Sequence, residues 1–136
     1  MDYTIRALDH VSIVVNDVDA ARRFYCDILG MTEVARPANF TFPGAWFRQG
    51  GAELHLIRRD VATQDVGDPL NTPLPNGDVT FARHFAFQID NMDELVKQLQ
   101  AHGVSIAYGP RPRGDGPTQV YIYDPDGHMI EFTEKP

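Results

Sequence analysis

The chain has 136 residues, of which 43% are hydrophobic, and this length and composition suit one compact domain with a sizeable core. Its formal charge of −7 and its pI near 5.0 argue against a nucleic-acid-binding surface and against binding to anionic membranes. The single cysteine, Cys26, cannot form an internal disulfide, and neither a secretory leader nor a transmembrane segment is recognisable. We therefore expect a cytoplasmic protein.

The first half of the chain predicts a β-α-β-β-β order. Its predicted elements are a strand over residues 8–15, a helix over 18–29, a strand over 31–35, and a hairpin of 45–49 with 52–57. Asn16 and Asp17 offer caps at the start of the helix, and Gly30 is typical of a helix end. The hairpin turns at Gly50 and Gly51.

The second half repeats this order after a polar segment, residues 59–80, which is rich in proline and glycine and predicts a long loop. Its predicted elements are a strand over 83–89, a helix capped by Asp90 or Asn91 and ended by Gly103, a strand over 104–108, and a hairpin of 119–123 with 128–133. The chain thus predicts a single α+β domain over residues 1–136. Its two tandem modules cover about 5–58 and 82–134.

Side chains of the types that bind metals fall at matching points of the two halves. His10 and His84 open the first strand of their halves, and His55 and Glu131 lie on the last strands. The spacing from His10 to His55 is 45 positions, and that from His84 to Glu131 is 47. Two such halves that face each other would bring these four side chains together. Nitrogen and carboxylate ligands suit a divalent ion such as Zn, Ni, Fe(II) or Mn.

Strand alternation leaves several assignments open. Glu53 and His55 share one face of their strand, so either can face the ion, and we prefer His55 because a leucine flanks it on each side. Glu131 can instead pair with an arginine, since a carboxylate in mid-strand needs a partner. Tyr121, on the neighbouring strand of the last hairpin, either donates a hydrogen bond in the same cavity or is an ordinary strand residue.

A tight Asp-Pro-Asp-Gly turn at residues 124–127 precedes the last strand. Alternation after this turn places His128 and Glu131 on opposite faces, so the turn fixes which of them faces the site. We expect structural roles for His128 and for His102, which lies at a helix C-terminus.

Several motifs occur together along nearly the whole chain: Leu8-Asp9-His10-Val11-Ser12, Phe24-Tyr25, Leu29-Gly30, Leu54-His55-Leu56, His84-Phe85, and the Asp-Pro-Asp-Gly turn ahead of Glu131. Together they resemble the vicinal oxygen chelate superfamily, which includes glyoxalase I, fosfomycin-resistance, bleomycin-resistance and extradiol dioxygenase proteins. The resemblance implies paired βαβββ modules that form an open mixed-sheet cup around a metal, with the helices outside. The implied metal ligands are His10, His55, His84 and Glu131, and the implied catalytic residues are Glu131, Tyr121 and Glu53.

The resemblance implies three functions. The first is a metal-dependent, glyoxalase-like lyase or isomerase that acts on a small substrate with vicinal oxygens, with the metal as Lewis acid and a carboxylate that transfers the proton. The second is an Fe(II) extradiol-type ring-cleaving dioxygenase, in which His55 serves as acid or base instead of ligand. The third is a non-enzymatic drug-binding protein like the bleomycin-resistance members. A homodimer is also implied, with residues 59–80 as an interface arm.

Two departures bear on the substrate. Val14 and Arg59 stand where glyoxalase I enzymes carry an arginine that binds glutathione and an asparagine. This difference argues against lactoylglutathione as the product.

Overall fold

The computed structural model describes residues 2–66 and 82–136, which form two modules of the same element order. The first module contains β1 (Val11–Val15), α1 (Val18–Arg22), β2 (Thr32–Val34), β3 (Gly44–Gln49) and β4 (Ala52–Arg58). The second contains β5 (His84–Ile89), α2 (Met92–Ala101), β6 (Ile106–Pro112), β7 (Thr118–Tyr123) and β8 (Met129–Glu134). The predicted β-α-β-β-β repeat and the α+β class are confirmed.

Each module folds into one four-stranded mixed sheet. The strand orders are β1-β4-β3-β2 and β5-β8-β7-β6, so the first strand of each module lies parallel to its last strand. Ser12 is opposite His55 in the first sheet, and Ala86 is opposite Glu131 in the second. This parallel pairing is what brings the two ligand-type residues of each half next to each other.

The first helix has an irregular second half. The Asp17 side chain accepts hydrogen bonds from the backbone N–H groups of Asp19 and Ala20 at 2.9 and 3.1 Å, as a good N-cap does. From residue 23 to 28 the chain widens into a π-helical turn, which keeps the adjacent Phe24 and Tyr25 both buried. The predicted helix over 18–29 is therefore present, although its second half is not α-helical.

One hydrophobic core serves both modules. Leu54 and Leu56 of β4 face this core, as do Ile130 and Phe132 of β8, and the helices add residues such as Tyr25 and Leu99. Because side chains alternate along a strand, Glu53, His55 and Glu131 project from the other faces of the two sheets. The ligand-type side chains therefore lie on the sheet faces that are turned away from the shared core.

The Asp-Pro-Asp-Gly turn forms as predicted and is held by its first aspartate. Asp124 Oδ1 accepts hydrogen bonds from the backbone N–H groups of Asp126 and His128, at 2.9 and 2.8 Å. Gly127 has a φ of 86°, a conformation that a residue with a Cβ adopts only with strain. Asp124 and His128 also pair through their backbones at 2.9 Å, which closes the hairpin just before β8 begins.

The same turn joins the two modules. Tyr25 Oη donates a 2.7 Å hydrogen bond to Asp124 Oδ2, and His128 Nε2 donates a 2.7 Å bond to the carbonyl of Val14. Asn16 donates to Asp126 Oδ1 through its backbone and its side-chain amide, at 3.1 and 2.9 Å. His128 thus has the structural role that its predicted orientation implied.

Several predicted boundaries differ from the structure. β1 begins at Val11, not at residue 8, and the segment before it is irregular and exposed. β6 continues to Pro112, not to residue 108, because it is the edge strand of its sheet, where a proline removes no ladder hydrogen bond. Only residues 59–66 of the predicted loop are described, so the suggested interface arm lies mostly outside the described residues. Neither helix in the described ranges has the length and apolarity of a membrane span.

Candidate metal and active site

The first module gathers three donor side chains, His10, Glu53 and His55, whose ligand atoms all lie within 4.8 Å of one another. The His55 ring stacks on Trp46 with the ring centroids 3.9 Å apart and an interplanar angle of 1°. It also stacks on His10, at 3.9 Å and 19°. These ring contacts hold His55 in one orientation, because the imidazole cannot turn without losing both stacks.

Hydrogen bonds decide which nitrogen of His55 is available. Its Nε2 donates to Glu53 Oε2 at 3.0 Å, so the neutral ring carries its lone pair on Nδ1. Burial lowers the pKa of His55, which favours this neutral, metal-binding form. Arg48 Nε donates to Glu53 at 2.7 Å, and this hydrogen bond is the main cause of the lowered pKa of the Glu53 carboxyl.

His10 is oriented in a similar way. Its Nδ1 donates to Asp9 Oδ2 at 2.7 Å, so the neutral ring carries its lone pair on Nε2. The same hydrogen bond is the main cause of the lowered pKa of the Asp9 carboxyl. A carboxylate behind each imidazole of this module is an arrangement common around metal-binding histidines.

The second module contributes a pair, His84 and Glu131. His84 Nδ1 lies 2.8 Å from the carbonyl oxygen of Ala82, and its Nε2 lies 3.1 Å from Glu131 Oε1. Both of these oxygens are acceptors, so a neutral His84 satisfies only one of them. Either a proton or a metal cation must therefore lie between Nε2 and Oε1, and this donor set fits a divalent metal.

Glu131 is enclosed by β7. Gln119 Nε2 lies 3.1 Å from Glu131 Oε2 and 3.1 Å from Tyr121 Oη. Tyr121 is opposite Glu131 in the β7–β8 register, and its ring meets the edge of His84 at 5.4 Å. Burial, followed by the nearby Glu131, raises the pKa of the Tyr121 hydroxyl, so Tyr121 stays protonated as a donor. Tyr121 thus lies beside Glu131 and His84 on the same sheet face.

Within one chain, the four predicted ligands form two groups and not one. In the part of the chain that the structure describes, His10 clusters with Glu53 and His55, and neither His84 nor Glu131 joins that cluster. One open groove of about 1000 Å³ runs past His10, Glu53 and His84. Its apolar lining includes Phe85, Phe87, Ile89, Leu29 and Met31.

Trp46 and Gln119 were not foreseen as site residues. The two-residue turn at Gly50 and Gly51 fixes the hairpin register, which pairs Trp46 with His55, so the sequence did contain a signal for Trp46. Gln119 carried a weaker signal. It is a polar residue at the same strand phase as Tyr121, but nothing in the sequence indicated that its amide would reach Glu131.

The repeated module, with a histidine at the start of its first strand and a histidine or carboxylate on its last strand, defines a two-module protein of the vicinal oxygen chelate type. The sequence matches the Glyoxalase/Bleomycin resistance protein/Dioxygenase superfamily over residues 7–132, and the chain belongs to this family. Its relatives include proteins named lactoylglutathione lyase, catechol-2,3-dioxygenase and fosfomycin resistance protein, so the family alone does not select one activity.

Three comparisons give the extent of the likeness. The chain is 30% identical over 129 residues to Glyoxylase I 4 of Arabidopsis thaliana, and the match covers 94% of this chain and 70% of that protein. A putative glyoxalase family protein from Bacillus anthracis superposes with a TM-score of 0.79 at 25% identity, over 100% of both chains. A mutant of the fosfomycin resistance protein FosX from Listeria monocytogenes, solved with Mn(II) and 1S,2S-dihydroxypropylphosphonic acid, has the same fold. Its TM-score is 0.68 at 24% identity, over 98% of this chain and 93% of that one.

Proposed function

We propose that this protein is a metal-dependent enzyme of the glyoxalase type, a lyase or isomerase that acts on a small substrate with two neighbouring oxygens. The observation that carries the proposal is the orientation of three histidines, His10, His55 and His84. Each has one ring nitrogen within hydrogen-bond distance of an oxygen acceptor, which leaves its other nitrogen for a ligand. In order, these acceptors are Asp9, Glu53 and the carbonyl of Ala82.

The residues that would hold the ion are His10, His55, His84 and Glu131. Glu53 is better suited to orient His55 than to bind, because Arg48 already pairs with its carboxylate. Three imidazoles and one carboxylate suit Zn, Ni, Fe(II) or Mn. The Mn(II) of the FosX structure supports a divalent ion in this fold.

The two ligand groups of one chain support a site that two chains complete. In such a homodimer, the first module of one subunit faces the second module of the other, and each dimer has two equivalent sites. The segment ahead of His10 supports this arrangement, since its apolar residues Tyr3, Ile5 and Leu8 are 68%, 84% and 79% exposed. Exposed apolar residues close together commonly belong to an interface.

The chemistry follows from the groups around Glu131. A bound divalent ion would supply Lewis-acid polarisation of the two substrate oxygens. Tyr121, which stays protonated, donates a hydrogen bond to a substrate oxygen on this face. Glu131 takes the proton from the carbon that carries the substrate hydroxyl and returns it to the former carbonyl carbon, while the hydroxyl proton passes to the former carbonyl oxygen by exchange with solvent. Arg48 lowers the pKa of Glu53, which makes this carboxylate a weaker base than an ordinary glutamate.

Metal titration and a turnover assay test the function. The metal-free protein is loaded with Ni, Zn or Mn and assayed on hemithioacetals and 2-oxo substrates. Trp46 is the only tryptophan of the chain and stacks on His55, so its fluorescence reports binding at this site independently of activity. We expect saturable quenching by Ni and turnover with at least one of these metals. A protein that binds none of them and turns over no substrate would refute the proposal.

Subunit complementation tests the shared site. His10→Ala and Glu131→Ala are each purified, shown to be defective in metal binding, and mixed under conditions that exchange subunits. If each site combines modules from two chains, a mixed dimer has one intact site, and random exchange restores about a quarter of the wild-type sites. Sites contained in single chains would show no recovery, because every site would then keep one defect.

A ring-cleaving dioxygenase is the second candidate, and one observation favours it. The stacking on His10 and Trp46 and the hydrogen bond to Glu53 give His55 a role without metal ligation. His10, His84 and Glu131 then make the two-histidine, one-carboxylate set of Fe(II) oxygenases. Anaerobic purification followed by iron analysis and oxygen uptake on catechols decides between the two activities.

A further inference from the structure

A chain of side-chain contacts crosses the whole second sheet, with one residue from each strand in the order in which the strands lie. Arg111 of β6 donates from Nε to Gln119 Oε1 at 2.9 Å. Gln119 of β7 donates from Nε2 to Glu131 Oε2 at 3.1 Å. Glu131 of β8 meets Nε2 of His84, on β5, through its other oxygen at 3.1 Å.

Arg111 fixes the direction of the Gln119 amide. A guanidinium nitrogen only donates, so the amide oxygen of Gln119 faces Arg111 and the amide nitrogen faces Glu131. The second hydrogen of this nitrogen is directed to Tyr121 Oη at 3.1 Å. The Tyr121 oxygen accepts from Gln119, and the Tyr121 hydroxyl donates to Glu131, a hydrogen bond that helps to raise the pKa of Tyr121.

Because both residues are buried, the hydrogen bond from Gln119 determines the orientation of the Glu131 carboxylate. Gln119 and Glu131 are only 4% and 6% exposed, so water has little access to replace a lost donor. One oxygen of Glu131 is held by Gln119, and the other is turned towards His84. Rotation of the carboxylate would therefore break the Gln119 hydrogen bond and withdraw Oε1 from His84.

We infer that Gln119 is a positioning residue, oriented by Arg111, which aims Glu131 Oε1 at the reacting centre. The inference rests on the proposed function, since the ion that Glu131 and His84 would share is part of that proposal. Gln119 itself touches neither ion nor substrate. Its role is to keep one carboxylate oxygen in the ligand position without competition from solvent.

The test uses Gln119→Met, which keeps the length of the side chain and removes the amide. Gln100→Met is the matched control, because Gln100 is an exposed glutamine on α2 that does not line the groove. Competition with a chromogenic chelator measures metal affinity in each protein. We expect Gln119→Met to bind about 10- to 100-fold more weakly than wild type, the usual effect of removing a group behind a metal ligand. The control should bind like wild type.

A metal-free readout separates this inference from the proposed function. The side-chain nitrogen NMR shifts of His84 report its contact with Glu131 in the unloaded protein. We expect these shifts to change in Gln119→Met and to be unchanged in Gln100→Met. A wild-type protein that binds no metal would defeat the proposed function, whereas the His84 shifts would still decide the role of Gln119.

Two further variants test whether the amide of Gln119 and its contact with Arg111 are responsible for the effect. Gln119→Asn keeps the amide but shortens its reach, and it should weaken metal binding like the methionine variant while preserving a polar, foldable side chain. Arg111→Met should weaken binding in an otherwise wild-type chain, and this effect should be smaller in the Gln119→Met background, because Arg111 acts through the amide. Wild-type affinity and unchanged His84 shifts in both Gln119 variants would overturn the inference.

Discussion

Tyr25→Phe tests the junction between the two modules. Tyr25 is fully buried, and its hydroxyl donates the 2.7 Å hydrogen bond to Asp124 Oδ2 across 99 positions of sequence. The substitution keeps the ring in the core and removes one oxygen. Asp124 Oδ1 keeps its two backbone donors, but Oδ2 loses the Tyr25 hydroxyl in a setting where Asp124 is only 5% exposed.

The expected loss follows from the charge of the acceptor. A hydrogen bond to a charged, buried group contributes about 1.5–3 kcal/mol, so we expect the free energy of unfolding to fall by about 2 kcal/mol. Urea unfolding followed by circular dichroism measures this as a lower midpoint with an unchanged slope. Tyr3→Phe is the control, because Tyr3 is 68% exposed and should unfold like wild type.

The pH dependence of the loss gives a second check. Burial is the main cause of the raised pKa of Asp124. Protonation of Asp124 therefore stabilises the folded protein: this stabilisation is fully present below the usual pKa of 3.8 and is lost as pH rises through the folded-state pKa. The Tyr25 hydroxyl favours the ionised form, so its removal raises this pKa further. The difference between Tyr25→Phe and wild type should therefore be larger at pH 7 than at pH 4. A variant within a few tenths of a kcal/mol of wild type at pH 7 would refute this account of the junction.

Three further predictions concern the site. Trp46→Ala should weaken metal binding about 10-fold by releasing the His55 ring, whereas Trp46→Phe should keep most of the affinity, as isothermal titration would measure. Arg48→Met should raise the pKa of Glu53, because the Arg48 hydrogen bond is the largest cause of its lowering, and NMR titration of the carboxyl group would measure the change. EDTA should lower the thermal stability of metal-loaded protein, by about 2.7 kcal/mol if the ion had been present at 100 times its dissociation constant.

The sequence predicted the parts of this fold that depend on local pattern. The hairpin that turns at Gly50 and Gly51 was predicted, and the internal repeat placed His84 and Glu131 at points of the second half equivalent to those of His10 and His55. The Asp-Pro-Asp-Gly turn was predicted as well, since its residue types prescribe its geometry. Each of these features is decided by neighbours that lie close in sequence or by the repeat itself.

Features that depend on distant packing were not predictable in the same way. The hydrogen bond between Tyr25 and Asp124 requires knowledge of how the two modules meet. The amide of Gln119 reaches Glu131 only because β7 and β8 are paired in one particular register. The separation of the four candidate ligands into two groups also follows from tertiary structure, because the shared core determines which sheet faces turn away from it.

The Asp-Pro-Asp-Gly turn therefore has two roles that a single change can separate. Its first aspartate is the acceptor for Tyr25, which ties β8 to the helix of the first module. Its glycine, with a φ of 86°, closes the hairpin and fixes the phase at which Glu131 points away from the core. Loss of the Tyr25 hydroxyl weakens the junction but leaves the orientation of Glu131 unchanged, because the turn keeps both backbone hydrogen bonds to Asp124 Oδ1. The stability of the junction thus depends on Asp124 Oδ2, whereas the orientation of Glu131 depends on the turn that Asp124 Oδ1 holds.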